Sequence, residues 1–242
     1  MSYILKTNLA NRSNFGAMRA TTAIKYIVIH YTANDGDTDE NNGNYFKNNI
    51  VKASAHYFVD DDSVTQSVPD NYIAYSVGGN KYSNTGLTGG GKYYGKCTNR
   101  NSISVEICDD VKNGVIYPSA KTIENAIELT KNLMKKYKIP ASNVIRHFDV
   151  TGKSCPAYWS ESSANNAKWK SEFLNKLTVA TDDSFKVRVK ITDLNIRKGP
   201  STIYGKVGVI APGVYTIVEV KGSWGKLKSG AGWINLNYTE RV

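Results

Sequence analysis

Residues 144–159 read V-I-R-H-F-D-V-T-G-K-S-C-P-A-Y-W, a stretch that places His147 eight positions before Cys155. Its apolar start predicts a short strand that ends near His147. A turn should follow, because Gly152 tolerates backbone angles that other residues avoid and Asp149 can hydrogen-bond to its own chain. The histidine and the cysteine can then meet at one point. Imidazole and thiolate are both zinc ligands, so the stretch predicts two ligands of a metal site.

The composition is ordinary for a soluble globular protein. The chain has 242 residues, of which 40% are hydrophobic and 21% charged, a balance that argues against extended disorder. No run is long enough for a membrane helix, and the first residues lack the basic and apolar blocks of a secretory signal. We therefore expect synthesis in the cytoplasm without a signal peptide, no membrane insertion, and a monomer.

The charge favours an anionic partner. Lys and Arg number 31 against 21 Asp and Glu, and residues 178–242 hold 10 of the basic and 5 of the acidic residues. No arginine-rich helix or basic-aromatic motif selects nucleic acid as that partner. The three cysteines are scattered without a C-x-x-C motif, which favours metal or catalytic use of one of them over a disulfide framework.

Residues 1–177 show the pattern of one α/β domain. A polar arm over residues 1–20 precedes the β-branched run 23–31, which predicts a buried central strand with His30 at its C-terminal end. The later patterns predict strands near 53–59, 64–68, 72–75 and 102–108, helices over 44–51, 119–138 and 168–177, and a long surface loop over 77–101.

The composition changes after residue 177. Residues 178–184 are short and polar, which predicts a linker. The segment 185–242 holds short strand-like runs with Gly and Pro between them and no helical pattern, which indicates a small all-β barrel. The expected strands are 186–191, 207–210, 214–220, 224–228 and 232–236.

Only three histidines can complete the metal site with Cys155: His30, His56 and His147. His30 and His147 both stand at the ends of expected buried strands, whereas His56 lies inside one. Two histidines and one cysteine leave a fourth position for water, which is the pattern of catalytic zinc. We therefore predict His30, His147 and Cys155 as the zinc ligands and treat His56 as a packing residue, although it could replace either histidine.

Zinc of this kind polarises a carbonyl group and lowers the pKa of a bound water from about 16 toward about 7. A proton acceptor must then lie near the water. Glu106 stands between apolar residues, where partial burial would raise its pKa to a useful value, so it is the predicted base. Lys153, two residues before Cys155, could stabilise a developing oxyanion.

Four segments together resemble the type 2 N-acetylmuramoyl-L-alanine amidases, which include phage endolysins, bacterial autolysins and peptidoglycan recognition proteins. They are I-V-I-H-Y-T-A at 27–33, S-A-H-Y-F-V at 54–59, N-S-I-S-V-E-I-C at 101–108 and R-H-F-D-V-T-G-K-S-C-P at 146–156. The resemblance spans roughly residues 20–177, with the segments in order and suitably spaced. It implies a mixed central β-sheet flanked by helices.

The resemblance also implies zinc on His30, His147 and Cys155, Glu106 as the base and Lys153 as the oxyanion stabiliser. The bond cut would be the amide that joins muramic acid to L-alanine. Residues 1–177 would be the catalytic domain.

Two positions depart from the family pattern. One branch of the family has a catalytic tyrosine before the histidine of the second segment, where this chain has Ala55. The neighbouring Tyr57 should point to the opposite strand face from His56, so the tyrosine role is not transferred. Relatives also often have a histidine within the segment that here reads A-Y-S-V-G at 74–78.

The C-terminal segment resembles bacterial SH3-type domains, which usually bind cell walls. The resemblance rests on L-N-I-R-K-G-P-S-T at 194–202 and G-W-I at 232–234. An aromatic binding surface could be formed by Trp224, Tyr204, Tyr215 and Trp233, although some of these must belong to the core of so small a barrel.

We therefore expect a zinc amidase that degrades peptidoglycan, with a C-terminal module that binds peptidoglycan or anionic wall polymers. The missing signal favours a phage or prophage endolysin that reaches the wall of a Gram-positive host after release. A bacterial autolysin, a wall peptidase with Cys155 as nucleophile, and a non-catalytic wall-binding protein are the alternatives. Pro156 argues against the peptidase, because a nucleophile usually precedes free backbone N–H groups at a helix start.

Overall fold

The computed structural model describes residues 3–82, 88–109, 116–177 and 184–242. It divides into two compact units, Met1–Leu177 and Thr178–Val242. The linker expected over 178–184 lies, except for Ser184, outside the described residues. Within the described ranges, none of the helices combines the length and the apolar character that a membrane span requires.

The first unit is built on a mixed six-stranded sheet with the strand order β1-β5-β4-β7-β3-β8. Strands β4 and β5 are antiparallel, and the other neighbours in this sheet are parallel. Strands β2 and β6 form a separate antiparallel pair. The strands are β1 Ile4–Thr7, β2 Phe15–Met18, β3 Tyr26–Asp35, β4 Tyr57–Val59, β5 Ser63–Gln66, β6 Tyr72–Ala74, β7 Ser102–Asp109 and β8 Val144–Arg146. The mixed sheet with helices is the predicted fold class.

Helices complete the unit. The α-helices are α1 Asp39–Asn48, α2 Ala120–Tyr137, α3 His147–Thr151 and α4 Ser163–Lys168, which continues through a π-helical segment Trp169–Leu174 into α5 Asn175–Leu177. Single 3-10 turns occupy Arg12–Asn14, Thr21–Ala23, Asn99–Asn101, Ala141–Asn143 and Ala157–Trp159. The predicted helix 119–138 is confirmed, and the Ser119 side chain accepts a hydrogen bond from the backbone N–H of Thr122, as an N-cap does.

The main hydrophobic core lies between α2 and one face of the sheet. Alternate residues of β3 and β7, among them Ile27, Ile29, Ile103 and Val105, pack in the same cluster as the apolar face of α2. Because strand side chains alternate between faces, His30 and Glu106 leave the sheet on the other side. The core therefore fixes which face of the sheet carries the candidate site.

Several predicted boundaries were wrong, for local reasons. Strand β3 does not end at Tyr31 but continues to Asp35. Helix α1 begins before residue 44, because Thr38 caps it and acidic residues occupy its first turn. The closing helix begins at Ser163 rather than Lys168, because the Ser162 side chain caps it by accepting from the backbone N–H of Asn165.

The N-terminal arm and the loop expected over 77–101 also differ from prediction. The arm contributes two strands, and β1 joins the main sheet beside β5. Residues 83–87 of the loop lie outside the described ranges. In the part of the loop that is described, Val77 and Cys97 are buried against Val28, so this segment is not confined to the surface.

The second unit is a seven-stranded sheet in which each pairing is antiparallel. Its order is β11-β10-β14-β13-β12-β9-β15. The strands are β9 Phe185–Val189, β10 Leu194–Arg197, β11 Lys206–Ile210, β12 Gly213–Lys221, β13 Trp224–Leu227, β14 Trp233–Asn235 and β15 Thr239–Arg241, and a 3-10 turn spans Leu236–Tyr238. The predicted all-β class of this unit is confirmed, although β10 and β15 were not predicted.

Asn14 secures the segment between α1 and β4. Its side chain is fully buried. The amide group donates to the carbonyl oxygens of Phe46 and Asn49, at 2.8 and 2.7 Å. The amide oxygen accepts from the backbone N–H groups of Val51 and Lys52, at 2.8 and 3.0 Å. One buried side chain thus satisfies four backbone groups that no strand or helix pairs.

We expect Asn14→Ala to lower the free energy of unfolding of the first unit by about 3 kcal/mol, because it removes the four hydrogen bonds of a buried side chain. Urea titration followed by tryptophan fluorescence measures this change. Asn48→Ala, an exposed position at the end of α1, is the matched control and should change stability by less than about 0.5 kcal/mol. Equal effects of the two substitutions would contradict the structural role of Asn14.

Candidate metal centre

Three side chains converge on the face of the sheet opposite α2. His30 comes from the middle of β3, His147 is the first residue of α3, and Cys155 lies on the loop that follows α3. Each side chain offers one possible ligand atom, and these three atoms all lie within 4.8 Å of one another. The exposed fractions are 2% for His30, 6% for His147 and 3% for Cys155. The Cys155 sulfur lies 3.7 Å from His30 Nδ1, and the two imidazole rings are 4.7 Å apart between centroids.

The register of three parallel strands produces this convergence. His30 and Glu106 are direct partners across the β3–β7 pair. On the other side of β3, Ile29 is the partner of Arg146, the last residue of β8. His147 therefore follows at the level of His30, and the two histidines meet although they are far apart in the sequence.

A closed loop then returns Cys155 to the same place. Gly152 ends α3 with a φ of +86°, which is a left-handed conformation that suits glycine. The backbone N–H of Phe148 donates to the carbonyl oxygen of Cys155 at 2.9 Å. This bond closes the segment that begins with one ligand and ends with the other.

The Arg146–Asp149 pair holds the start of that loop. The guanidinium group of Arg146 donates to both carboxylate oxygens of Asp149, at 3.0 and 2.6 Å, and its backbone N–H donates to Asp149 at 2.8 Å. Arg146 also bonds to the carbonyl oxygen of Trp159. The sequence interpretation gave Asp149 a bond to its own chain but did not identify the Arg-x-x-Asp spacing, which was its available signal.

The three residues fit a zinc ion. Burial lowers the pKa of His147 to about 4, with a smaller contribution from the Lys153 charge, and it lowers the pKa of His30 well below its ordinary value. Both rings are therefore neutral, as metal binding requires. The Nδ1 atom is the nitrogen of His30 that faces Cys155 and Glu106. A tetrahedral zinc ion separates histidine nitrogen and cysteine sulfur by about 3.6 Å, close to the spacing of His30 and Cys155.

Glu106 and Lys153 stand beside these ligands. Glu106 Oε1 lies 3.8 Å from His30 Nδ1, and its side chain is 19% exposed. Burial raises the pKa of Glu106 to about 8, and the Lys153 charge opposes that shift. A cation held by the three side chains would act in the same direction as Lys153: it would lower the pKa of Glu106 and favour the carboxylate form. Lys153 itself is exposed and lines the open space on both sides of the centre.

Two grooves flank the centre. The first, of about 470 Å³, includes His147 and Lys153 in its lining, and the second, of about 580 Å³, includes Glu106 and Lys153. The first is further lined by Lys52, Tyr75, Ser76, Gly78, Gly79, Asn80, Tyr82, Asn99 and Thr151, and the second by Tyr31, Thr32, Asn34, Asp37, Asn41, Asn42, Tyr45, Phe46 and Phe58. The two grooves thus share Lys153, and each also includes one further residue of the centre in its lining.

His56 and Tyr57 lie outside the candidate metal-binding group. The buried His56 ring contacts Ser104 Oγ at 3.0 Å and the carbonyl oxygen of Tyr72 at 3.1 Å. Tyr57 donates its hydroxyl to Asp70 at 2.7 Å. His56 therefore bonds to the neighbouring strands, and the described ligand group does not include it.

A second group of carboxylates, Asp39, Asp60 and Asp62, also lies close together. Its buried members are already engaged. Asp39 accepts from the hydroxyls of Ser63 and Thr65, at 3.0 and 2.7 Å. Asp60 accepts from the backbone N–H groups of Asp39 and Ser63. These bonds give the group a structural role at the start of α1.

Comparisons with known proteins agree on one family. The family model described as N-acetylmuramoyl-L-alanine amidase matches residues 20–158. The N-acetylmuramoyl-L-alanine amidase CwlL of Bacillus licheniformis is 33% identical over 187 residues, which cover 74% of this chain and 49% of that protein. The chain thus spans about half the length of this curated relative.

Solved structures share the fold of the first unit. The structure of PlyL is 28% identical, with a TM-score of 0.56, and the match covers 75% of this chain and 99% of that one. A mutant endolysin from Bacillus subtilis is also 28% identical, with a TM-score of 0.54 and coverage of 72% and 99%.

We expect the purified chain to bind about one zinc ion and Cys155→Ser to lose most of it, because a hydroxyl is a far weaker zinc ligand than a thiolate. Metal analysis after dialysis measures the content. Cys97→Ser is the matched control, because Cys97 is also buried but packs in a separate apolar cluster. Equal zinc content in the two variants would remove Cys155 from the ligand set.

Proposed function

Because the chain belongs to the N-acetylmuramoyl-L-alanine amidase family, we propose that it hydrolyses the amide bond between N-acetylmuramic acid and L-alanine in bacterial peptidoglycan. The observation that carries the proposal is the convergence of His30, His147 and Cys155 beside Glu106, at the junction of two grooves. Such a junction can hold a bond whose two sides lead to different chemical groups.

His30, His147 and Cys155 would hold the zinc ion. When bound, zinc supplies Lewis-acid polarisation of the substrate carbonyl and lowers the pKa of a nearby water. The buried ligands fix that chemistry at one point of the sheet. The closed loop from His147 to Cys155 keeps the ligands in place before the substrate arrives.

Glu106 would act as the general base. Its carboxylate lies beside His30, where it can take a proton from the attacking water and later give it to the departing amide nitrogen of L-alanine. In the described residues its Oε2 atom is buried and has no hydrogen-bond partner, so no protein group competes for that oxygen. Lys153 would place its positive charge near the carbonyl oxygen, where negative charge develops in the transition state.

The buried position of Cys155 disfavours its use as a nucleophile. Its side chain is 3% exposed, and burial raises the pKa of the thiol, so it lacks the accessible thiolate that such enzymes need. The non-catalytic alternative is disfavoured because the complete ligand group stands beside a carboxylate and a lysine. We therefore keep the hydrolase as the proposed activity.

The biological setting we propose is lysis of a Gram-positive wall. Its support is that the similar amidase CwlL comes from Bacillus licheniformis and that one similar structure is a mutant endolysin from Bacillus subtilis. A phage or prophage endolysin and a bacterial autolysin both fit this setting. In either case the enzyme would act on the wall after release from the cytoplasm.

We also propose that residues 178–184 are a linker and that 185–242 form an SH3-type module that binds peptidoglycan or anionic wall polymers. Its support is the separate antiparallel sheet and the half-exposed ring of Tyr204, which packs against the backbone at Gly199. Trp233, by contrast, is only 6% exposed and belongs to the interior of the unit. The aromatic contribution to binding therefore centres on Tyr204 rather than on Trp233.

We expect Glu106→Gln and Lys153→Met each to lower kcat for wall hydrolysis by about 100-fold or more, because each removes a group that acts in the transition state. Turbidity loss of purified walls measures the rate. Both variants should still bind walls in a sedimentation assay. Glu124→Gln, at an exposed position of α2, is the matched control. Near wild-type lysis by Glu106→Gln would exclude it as the base.

We expect Tyr204→Ala to weaken sedimentation with walls by about fivefold, because stacking on an exposed aromatic ring is lost. Tyr204→Phe should retain binding, since the ring remains. Tyr238→Ala removes another exposed ring of the same unit and is the control. Equal losses for Tyr204→Ala and Tyr238→Ala would contradict a specific role for Tyr204.

A further inference from the structure

The two grooves at the centre differ in charge. The first groove, on the His147 side, is lined by two lysines, Lys52 and Lys153, and by neutral residues, and no carboxylate occurs among the described residues that line it. The second groove contains the carboxyl groups of Asp37 and Glu106. A ligand with an anionic part therefore finds its complement on the His147 side.

Lys52 is held in an unusual backbone conformation at the edge of the first groove. Its φ is +55°, and of the four non-glycine residues described with positive φ it alone lines either groove. Left-handed backbone is costly for a lysine, and glycine would adopt it freely. A strained residue beside a candidate active site points to a role for its side chain.

The buried amide of Asn14 imposes that conformation. Its oxygen accepts from the backbone N–H groups of Val51 and Lys52, and its nitrogen binds the preceding segment at Phe46 and Asn49. The Lys52 side chain remains exposed, and no carboxylate among the described residues pairs with it. The backbone of Lys52 is thus fixed while its ammonium group is free for a ligand.

The proposed substrate also differs in charge between the two sides of the scissile amide. In the proposed reaction the carboxyl group of the lactyl side is consumed in the scissile amide, so that side carries no charge there. The peptide side bears free carboxylates. An ammonium group that binds such a carboxylate would also orient the scissile bond across the centre.

We propose that Lys52 binds the α-carboxylate of the second residue of the peptide part of the substrate, and that the peptide therefore lies in the first groove. The inference rests on the proposed amidase function and adds the side on which the peptide binds. It makes Lys52 a determinant of specificity for stem peptides that carry a free carboxylate over those in which that group is amidated.

Two soluble compounds that differ by one charge test the proposal. N-acetylmuramoyl-L-alanyl-D-glutamate carries free α- and γ-carboxylates on its second residue, and the D-isoglutamine compound carries a neutral amide in place of the α-carboxylate. The value of kcat/KM for each, in the zinc-loaded full chain, gives the preference for the carboxylate. We expect a preference of about fivefold in the wild type, the size of a partly exposed charge-assisted bond.

Lys52→Gln should reduce that preference to near unity, whereas Lys52→Arg should retain it. Lys47→Gln removes an exposed lysine of α1 that lines neither groove and should behave as the wild type. Lys52→Gly should also lose the preference while its thermal midpoint equals or exceeds that of the wild type, because glycine relieves the backbone strain. If the Lys52 side chain instead stabilised the fold, Lys52→Gly would lower the thermal midpoint.

Calorimetric binding of the same two compounds to the Glu106→Gln chain repeats the comparison without turnover. A missing amidase activity and a missing Lys52 contact are thereby distinguished. Carboxylate preference that survives Lys52→Gln in both assays would overturn the inference and leave the proposed activity intact. Equal affinity of the Glu106→Gln chain, with Lys52 in place, for the two compounds would also overturn the proposed role of Lys52.

Discussion

The parallel register of β3 with its two neighbours is the constraint on which the rest of the site depends. It pairs His30 with Glu106 on one side and brings the end of β8 level with His30 on the other. A shift of one residue in either pairing would turn these side chains to the opposite face, against α2. The apolar residues that alternate with them, such as Ile29 and Val105, prevent that shift because they fill the core.

The same burial that fixes the register places polar groups in the interior. Two neutral imidazoles and a thiol occupy an interior position, and His30 Nε2 lacks a partner in the described residues. A buried polar group left in that state costs about 1–3 kcal/mol. The Arg146–Asp149 pair and the closed loop hold the group together against this cost. Metal binding would therefore stabilise the fold as well as supply the chemistry.

Secondary structure could be predicted from the sequence where a local pattern fits only one kind of element. The β-branched run around His30 has no helical period, and Gly152 marks the turn before Cys155, so the strand and the turn could be predicted from local rules. That His30 and Cys155 bind a metal ion stays a prediction. Helix α2 was also predicted, since its apolar face and its Ser119 cap agree.

What could not be predicted depends on partners distant in the sequence. The polar N-terminal arm becomes a strand because β5 offers it an open edge. The backbone of Lys52 is set by Asn14, a contact across 38 positions that no spacing reveals. In the second unit, β10 and β15 are short and weakly patterned, and they are defined by the strands they pair with.

The most direct test of the central claim is mass spectrometry of fragments released from purified Gram-positive peptidoglycan. The full chain would be assayed as purified, after removal of metal by a chelator, and after zinc is restored. We expect new free amino groups on L-alanine with intact glycan strands, and we expect them to be lost on chelation and regained with zinc. Cleavage of a glycosidic or a peptide bond, or L-alanine release that resists chelation but stops on thiol alkylation, would contradict the proposed function.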